Sequence, residues 1–187
     1  MKPQPAPNQL RIIGGAWRGR KLAFAPLPGL RPTPNRVRET LFNWLAPVIR
    51  DARCLDLFAG SGALGLEAAS RGAARCVLVE REHAVVQVLR EQVARLKAEQ
   101  IEVIEADVPS WLTLGAAPFD IVFLDPPFRQ GLLQECIERL EQNGWLADSA
   151  WVYVESERGL ELALPERWEW YREKQAGQVS YRLARRG

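Results

Sequence analysis

Residues 54 to 65 read Cys54-Leu-Asp-Leu-Phe-Ala-Gly-Ser-Gly-Ala-Leu-Gly65, and this stretch decides the fold of the 187-residue chain. An apolar run through Ala59 breaks into a loop with glycines at positions 60, 62 and 65, and an apolar helical pattern follows. A strand, a glycine turn and a helix form the first unit of a nucleotide-binding α/β domain. In such a unit the glycines let the backbone approach a ligand, and the helix N-terminus faces that ligand.

The glycine pattern alone does not identify the ligand, because Gly60-x-Gly62-x-x-Gly65 also matches the dinucleotide fingerprint. Two further features weigh against NAD. Asp56 lies inside the strand, where a cationic ligand group could use its carboxylate. A second motif, Asp125-Pro-Pro-Phe128, lies about two βα units downstream. Together the two motifs resemble those of class I methyltransferases, which use S-adenosylmethionine and include enzymes that methylate exocyclic amino groups of bases.

Strand and helix signals alternate after this first unit. Strands are predicted at 54–58, 76–79, 101–105, 119–124 and 150–155, and helices at 63–71, 82–98, 109–114 and 130–142. Two alternating segments at 168–173 and 179–185, around Gly177, predict a terminal hairpin. The sequence therefore predicts an α/β protein with a Rossmann-like class I methyltransferase fold: a mostly parallel seven-stranded sheet with a C-terminal antiparallel hairpin.

The N-terminal part carries a different pattern. Residues 10–24 predict a β-hairpin that turns at Gly14-Gly15. After a proline-rich loop, Thr33-Pro34 predicts a helix start with Thr33 as the cap, followed by apolar positions at helical spacing. We predict a flexible tail at 1–9, a basic extension at 10–50 made of a β-hairpin and a helix, and the methyltransferase domain at 51–187.

Polar residues at the predicted strand ends are candidates for cofactor binding, because ligands of such sheets lie beyond the carboxyl ends of the strands. Glu80 ends the second strand, 20 residues after Gly60, where an acid can bind both ribose hydroxyls. Asp107 follows the third strand, where an adenine acceptor and a solvated loop acid are equally consistent with the pattern. His83, the only histidine, fits a helix surface better than a catalytic role.

The motif Asp125-Pro126-Pro127-Phe128 supplies groups that suit amino methylation. The amino group of a base is a poor nucleophile because its lone pair is delocalised into the ring. The Asp125 carboxylate and the Pro126 carbonyl can both accept from that amino group, which orients it and stabilises the developing positive charge. The prolines stiffen the loop, and Phe128 can stack on a base that has left its helix or loop. This chemistry requires no metal.

Charge is distributed unevenly along the chain, although the net charge is only +2. Residues 1–50 hold nine Lys or Arg and one acid, whereas the rest of the chain is acidic overall. A basic segment on an acidic domain favours a polyanionic partner, although a solvated charged face would also explain it. Three widely spaced cysteines are typical of buried residues in a reducing cytoplasm, and no apolar run is long enough for a membrane helix.

The N-terminal segments Arg11-Ile-Ile-Gly-Gly-Ala-Trp-Arg-Gly-Arg20, Leu30-Arg-Pro-Thr33 and Arg36-Val-Arg-Glu-Thr-Leu-Phe-Asn-Trp44 resemble the bacterial 16S ribosomal RNA guanine-N2 methyltransferases of the RsmD family. So do Asp56–Gly65, Asp125–Phe128, Asn143-Gly-Trp145 and Tyr153-Val-Glu-Ser156. The resemblance runs from about residue 10 to the C-terminus, and its N-terminal block is the specific part.

The resemblance implies methyl transfer from S-adenosylmethionine to N2 of one guanine (guanine 966 in the standard rRNA numbering) in an assembled or assembling small subunit. It implies that the cofactor is lined by Asp56, Phe58, Gly60, Gly62, Glu80 and Asp107. It implies that the target base is held by Asp125, Pro126, Pro127 and Phe128. It implies that rRNA phosphates are contacted by Arg11, Arg18, Arg20, Lys21, Arg36 and Arg38. We expect a cytoplasmic monomer and leave contacts to ribosomal proteins open.

Three other functions remain open from the sequence. An adenine-N6 methyltransferase acting on DNA or RNA would need the same four-residue motif, and Phe128 does not separate the two target bases. An NAD-dependent oxidoreductase would use the glycine turn but leaves Asp125-Pro-Pro-Phe128 without a role. A non-catalytic RNA-binding module would need neither the carboxylate nor the glycine turn.

Overall fold

An inner strand of the main sheet carries the apolar half of the glycine stretch. The computed structural model describes residues 8–30, 32–115 and 117–187. Its strands are β1 (Gln9–Arg11), β2 (Lys21–Ala23), β3 (Arg53–Leu57), β4 (Arg75–Glu80), β5 (Ile101–Glu105), β6 (Phe119–Leu124), β7 (Leu146–Glu157), β8 (Trp168–Ala176) and β9 (Val179–Arg186). Its helices are α1 (Asn35–Leu45), α2 (Ala63–Ser70), α3 (His83–Leu96), α4 (Val108–Trp111) and α5 (Leu132–Gln142).

The main sheet has seven strands in the order β5-β4-β3-β6-β7-β9-β8. The five strands β5, β4, β3, β6 and β7 pair in parallel. Strands β9 and β8 follow as antiparallel strands at one end of the sheet. The predicted fold class is therefore confirmed. The strand order reverses between β3 and β6, and a ligand crevice is expected at the carboxyl ends of the strands at such a reversal.

The inner parallel strands β3, β4 and β6 are buried on both faces, which explains their nearly continuous apolar sequences. Leu55 and Leu57 of β3 pack into one apolar cluster with α4 and α5. Cys54 of the same strand faces the opposite cluster with α2 and α3. Cys54, Cys76 and Cys136 are all buried, as predicted.

The N-terminal extension shares its core with the sheet. Ile12, Leu22 and Phe42 belong to the same buried cluster as Leu66 of α2 and Phe123 of β6. A fully buried side chain of this size stabilises the folded state by about 1.5–3 kcal/mol. Burial of the extension against the sheet is therefore a large contribution to the stability of the chain.

The turn of the N-terminal hairpin differs from the prediction. The strands β1 and β2 have three residues each, and the connection runs over residues 12–20 instead of turning tightly at Gly14-Gly15. The glycines pack against α2 instead. A Cβ on Gly15 would lie 1.8 Å from the Ser70 carbonyl oxygen, and the Ala16 amide donates to that oxygen at 2.7 Å. Contact with the backbone of α2 explains why position 15 carries no side chain.

The prediction of Thr33 as a helix cap is wrong. Helix α1 begins at Asn35, and its N-cap is Pro34, with no capping bond from a side chain. The Thr33 side chain turns away from α1 toward the end of β6. Smaller differences affect α5, which begins after Gly131 in the left-handed conformation, and β7, which extends beyond the predicted 150–155. Residues 1–7 of the predicted tail lie outside the described residues.

Candidate active site

A cavity of about 1000 Å³ lies at the carboxyl ends of the parallel strands, where the strand order reverses. The loop between β2 and α1 forms one wall of this cavity through Leu27, Leu30 and Thr33. The opposite walls come from the glycine turn after β3 and from the segment after β6. The predicted cofactor and base sites are thus parts of a single space. Nine of the residues predicted to hold the cofactor or the base line this cavity: Asp56, Phe58, Gly60, Glu80, Asp107, Asp125, Pro126, Pro127 and Phe128.

Gly62 is the exception among the predicted cofactor residues, because it does not line the cavity. It is the N-cap of α2 in the left-handed conformation with φ of 78°. A Cβ there would lie 2.8 Å from side-chain carbons of Leu66 and Leu89. The glycine is required by the turn and by packing behind the cavity wall. Phe58, which does line the cavity, has a left-handed φ of 62°, an uncommon conformation that clusters at functional sites.

Asp56 is a buried carboxylate in the cavity wall. Its Oδ2 accepts a hydrogen bond from the Gly65 amide at 2.8 Å, and a Cβ on Gly65 would lie 3.0 Å from the same oxygen. Burial chiefly, with the nearby Asp125 and Glu80, raises the pKa of Asp56 to about 8 against the opposing effect of the Gly65 hydrogen bond. A cationic ligand would favour the ionised form of this carboxylate.

Glu80 fixes the glycine turn. Its Oε2 accepts from the Gly60 amide at 3.0 Å, and its Oε1 accepts from the amides of Arg81 and Glu82 at 2.8 and 2.9 Å. Each carboxylate oxygen has two lone pairs, so Oε2, which accepts one amide, can still accept from a hydroxyl donor in the cavity. Glu80 therefore has a structural role that the sequence did not reveal.

Asp107 caps α4 by accepting from the amide and hydroxyl of Ser110 at 3.3 and 2.8 Å. It also lines the cavity, so a capping role and a ligand role are compatible. His83 lies at the start of α3, is 69% exposed and is near Glu105, outside the residues that line the cavity. The prediction of a surface position for His83 is confirmed.

Asp125 lies directly after β6 and is half-buried. The Thr33 hydroxyl donates to its Oδ2 at 3.4 Å. Burial raises the pKa of Asp125 to about 6, against a lowering effect of the Thr33 bond. Pro126 is buried, whereas Phe128 is 40% exposed at the cavity. The exposed ring is available to a planar ligand, and the carboxylate is mostly ionised at neutral pH.

Glu155 is a cavity residue to which the sequence analysis gave no role. It lies near the end of β7, is 6% exposed and accepts from the Tyr153 hydroxyl through Oε2 at 3.0 Å. Burial raises the pKa of Glu155 to about 8, and the neighbouring Asp125 adds to this effect. An acid that follows an apolar strand was the available signal, and it is the same signal that singled out Glu80 and Asp125.

The cavity is strongly acidic. Among the described residues, six carboxylates line it and Arg81 is the one basic side chain. The carboxylates are Asp56, Glu80, Glu82, Asp107, Asp125 and Glu155. Such a space favours cationic ligands and disfavours ligands with several negative charges.

Five of the six predicted phosphate-binding residues are exposed. They are Arg11, Arg18, Arg20, Lys21 and Arg36. Within the described part of the chain, none of the five forms an ion pair. A cluster of basic side chains without acidic partners is suited to a polyanion.

The prediction that Arg38 contacts RNA is wrong, because its side chain is only 1% exposed. Arg38 forms a buried ion pair with Glu67 of α2 at 3.3 Å and donates to the carbonyl oxygens of Thr33 and Arg11. Glu67 in turn accepts from the backbone amides of Ile13 and Gly14 in the hairpin. This buried pair joins the hairpin, α1 and α2.

The chain is similar to known proteins over nearly its whole length. Residues 10–185 match the family model described as "Conserved hypothetical protein 95". Ribosomal RNA small subunit methyltransferase D of Escherichia coli (strain K12) is 60% identical over 181 residues, which cover 96% of this chain and 91% of that protein. The protein of the same name from Haemophilus influenzae is 46% identical and covers 98% of both chains. The solved structure of the Escherichia coli yhhF protein is 59% identical, with a TM-score of 0.90 over 96% of this chain and 98% of that one.

Proposed function

Since the chain belongs to the family described as Conserved hypothetical protein 95, the family of the small-subunit ribosomal RNA methyltransferase D proteins, we propose that it methylates small-subunit rRNA with S-adenosylmethionine. We propose further that the acceptor is the exocyclic N2 of one specific guanine. The observation that carries the proposal is the single acidic cavity, in which the glycine turn and Asp125-Pro-Pro-Phe128 meet beside the basic extension.

The charge of the cavity supports a sulfonium cofactor over a dinucleotide. S-adenosylmethionine carries a sulfonium and an ammonium group, and both are favoured by the surrounding carboxylates. NAD carries a pyrophosphate, which would meet the same carboxylates with Arg81 as the one guanidinium among the described lining residues. The same charge balance therefore disfavours an oxidoreductase.

The residues of the glycine turn are suited to the proposed cofactor. Gly60 presents backbone to the cavity, and a Cβ there would lie 2.9 Å from the Leu30 side chain. Asp56 would offer its carboxylate to a cationic group, and Glu80 and Asp107 would accept from hydroxyl and amino groups of the adenosine. The bound cofactor supplies an electrophilic methyl group, and no metal is required for its transfer.

Asp125 and the Pro126 carbonyl would hold the guanine amino group. At neutral pH the ionised Asp125 accepts one N–H, which keeps the nitrogen lone pair oriented and stabilises the positive charge that forms during attack. Phe128 is exposed at the cavity and would stack on the extruded base. As the nitrogen–methyl bond forms, the methyl–sulfur bond would break and S-adenosylhomocysteine would leave, and the Asp125 carboxylate would take the proton lost from the methylated nitrogen.

The exposed basic residues of the extension would bind rRNA phosphates around the target. We propose that residues 10–50 form this rRNA-binding part and that residues 51–187 form the catalytic part, although the two share one apolar cluster. The phosphate-binding residues that we propose are Arg11, Arg18, Arg20, Lys21 and Arg36. The substrate would be an assembled or assembling small subunit, and we expect the enzyme to act as a monomer.

The test is methylation of small subunits isolated from cells that lack this protein, with radiolabelled S-adenosylmethionine. We expect one methyl group per subunit and N2-methylguanosine as the modified nucleoside after mass spectrometry of the digested rRNA. A primer-extension scan then gives the position. N6-methyladenosine would favour the adenine-N6 alternative, and binding of NADH without binding of S-adenosylhomocysteine would favour the oxidoreductase. If Asp125→Ala leaves the function intact, the protein is a binding module and the proposal fails.

A further inference from the structure

Glu155 lies next to Asp125 in the sheet. Strands β6 and β7 pair in parallel with Leu124 opposite Val154, so Asp125 and Glu155 occupy the following position on adjacent strands. Adjacent strands lie about 4.8 Å apart, and side chains at matching positions point to the same face. Both residues line the cavity, which places two carboxylates side by side at the proposed base site.

One oxygen of Glu155 is held and the other is available. The buried Tyr153 hydroxyl donates to Oε2 at 3.0 Å and thereby fixes the orientation of the carboxylate. Among the described residues, Oε1 has no hydrogen-bond donor. Burial and the neighbouring Asp125 raise the pKa of Glu155 to about 8, and a ligand N–H that donates to Oε1 would favour its ionised, accepting form.

The edge of guanine provides such a donor. Its N1–H and its N2 amino group are neighbours, joined through one ring carbon, so two adjacent carboxylates can accept from both. Adenine has a lone pair at N1, which would face the ionised form of the Glu155 carboxylate acceptor to acceptor. We propose, on the basis of the function proposed above, that Glu155 accepts the N1–H of the target guanine and so selects guanine over bases without a proton at N1.

The proposal is tested with a base that keeps the N2 amino group, has no proton at N1 and carries an amino group in place of O6, so the comparison with the Glu155 variant isolates the contribution of N1. 2,6-Diaminopurine carries the N2 amino group, but its N1 has no proton. It is placed at the mapped target in 16S rRNA ligated around a synthetic segment and assembled into subunits. We expect wild-type enzyme to prefer guanine over 2,6-diaminopurine by about 10–100-fold in kcat/KM, since the Glu155 oxygen is then left without a donor.

Glu155→Gln separates recognition from structure. Its amide can donate to N1 of 2,6-diaminopurine or accept from N1 of guanine, so we expect the preference to fall to about threefold or less. Tyr153→Phe removes the hydrogen bond that orients the Glu155 carboxylate, so it should lower the preference for guanine over 2,6-diaminopurine in part. The matched control is Glu91→Gln, the same substitution at an exposed position of α3, which should leave the preference unchanged.

Each result decides between the proposals. If wild-type enzyme methylates both bases equally, or if Glu155→Gln slows both by the same factor, Glu155 does not recognise N1 and this inference is wrong. If Glu155→Gln abolishes binding of S-adenosylhomocysteine by calorimetry, Glu155 serves the cofactor and the inference is also wrong. Failure of wild-type enzyme to methylate the guanine substrate at all would refute the proposed function instead. If Glu155→Gln does not fold, wild-type enzyme and Tyr153→Phe still give the comparison.

Discussion

Asp56→Asn is expected to stabilise the protein while it removes cofactor binding. The Asp56 carboxyl is buried, and its pKa is raised from 3.8 to about 8, chiefly by burial and further by Asp125 and Glu80. Asparagine has nearly the same shape, and its amide oxygen can still accept from the Gly65 amide. The substitution therefore removes the cost of a buried ionisable group and retains the hydrogen bond.

The size and sign of the effect follow from the two pKa values of Asp56. The folded state binds this proton more tightly than the unfolded state, so the contribution to stability is greatest below pH 3.8. It is lost as pH rises toward 8. One pKa unit corresponds to about 1.4 kcal/mol, so the loss for wild type reaches up to about 4 kcal/mol by pH 7. We expect the variant to exceed wild type in unfolding free energy by at least about 1 kcal/mol at pH 7.

The assay is urea unfolding followed by tryptophan fluorescence at pH 5, 6, 7 and 8. The difference between Asp56→Asn and wild type should grow with pH. S-adenosylhomocysteine at about 100 times its Kd should stabilise wild type by about 2.7 kcal/mol. It should stabilise the variant by much less, because the ammonium group of the ligand loses the Asp56 carboxylate as its counter-charge.

Asp120→Asn is the matched control. Burial would raise the pKa of Asp120, but hydrogen bonds from Arg53 outweigh burial and lower it. This carboxylate therefore stabilises the fold above its unfolded pKa, and its loss should lower stability at pH 7 without affecting ligand binding. If Asp56→Asn is instead less stable than wild type at pH 7, or if the difference does not change with pH, the carboxylate is ionised in the free protein and the reasoning is refuted.

Further predictions concern the acceptor site, the buried pair and the basic surface. Asp125→Ala should lower kcat by about 10²–10³-fold and leave S-adenosylhomocysteine affinity nearly unchanged in calorimetry; a large affinity loss with normal turnover would contradict this. For wild type, kcat/KM should rise as pH increases through about 6, where Asp125 ionises, and a flat profile from pH 5 to 8 would argue against an ionised acceptor. Arg38→Met leaves the buried Glu67 with Arg71 alone and should cost about 3 kcal/mol in urea unfolding; a cost below about 1 kcal/mol would contradict a stabilising pair. The triple variant Arg18→Gln, Arg20→Gln, Lys21→Gln should weaken subunit binding and lower its salt slope by about 2–3, and an unchanged slope would place the phosphates elsewhere.

The sequence predicted the fold and most of the cavity because both depend on local patterns. A glycine turn after an apolar strand, followed by acids at successive strand ends, is sufficient to place Asp56, Glu80 and Asp125 at one edge of a parallel sheet. Glu155 could have been found in the same way, since it follows the apolar residues of β7. Acids at the ends of β4, β5 and β6 were predicted to be site residues, whereas the acid near the end of β7 was not.

The role of Arg38 was missed because charge was judged without helix geometry. Arg38 precedes Phe42 by four positions and Leu45 by seven, so it lies on the buried face of α1, whereas Arg36 does not. That spacing was visible in the sequence. The partner, Glu67, is 29 residues away, and nothing local to either residue indicates that they meet. The Thr33 bond to Asp125 spans 92 positions and likewise depends on tertiary packing.

The attachment of the hairpin to α2 has a consequence for how a target could be chosen. The Glu67 carboxylate and the Ser70 backbone and hydroxyl hold residues 13 to 17 by five hydrogen bonds, so the hairpin has no hinge in this region. The distance between the hairpin backbone that carries the arginines and the mouth of the cavity is then constant. If these arginines bind rRNA phosphates as proposed, the target nucleotide must protrude from the folded RNA by that distance, so the enzyme would select its substrate by backbone shape as well as by the base.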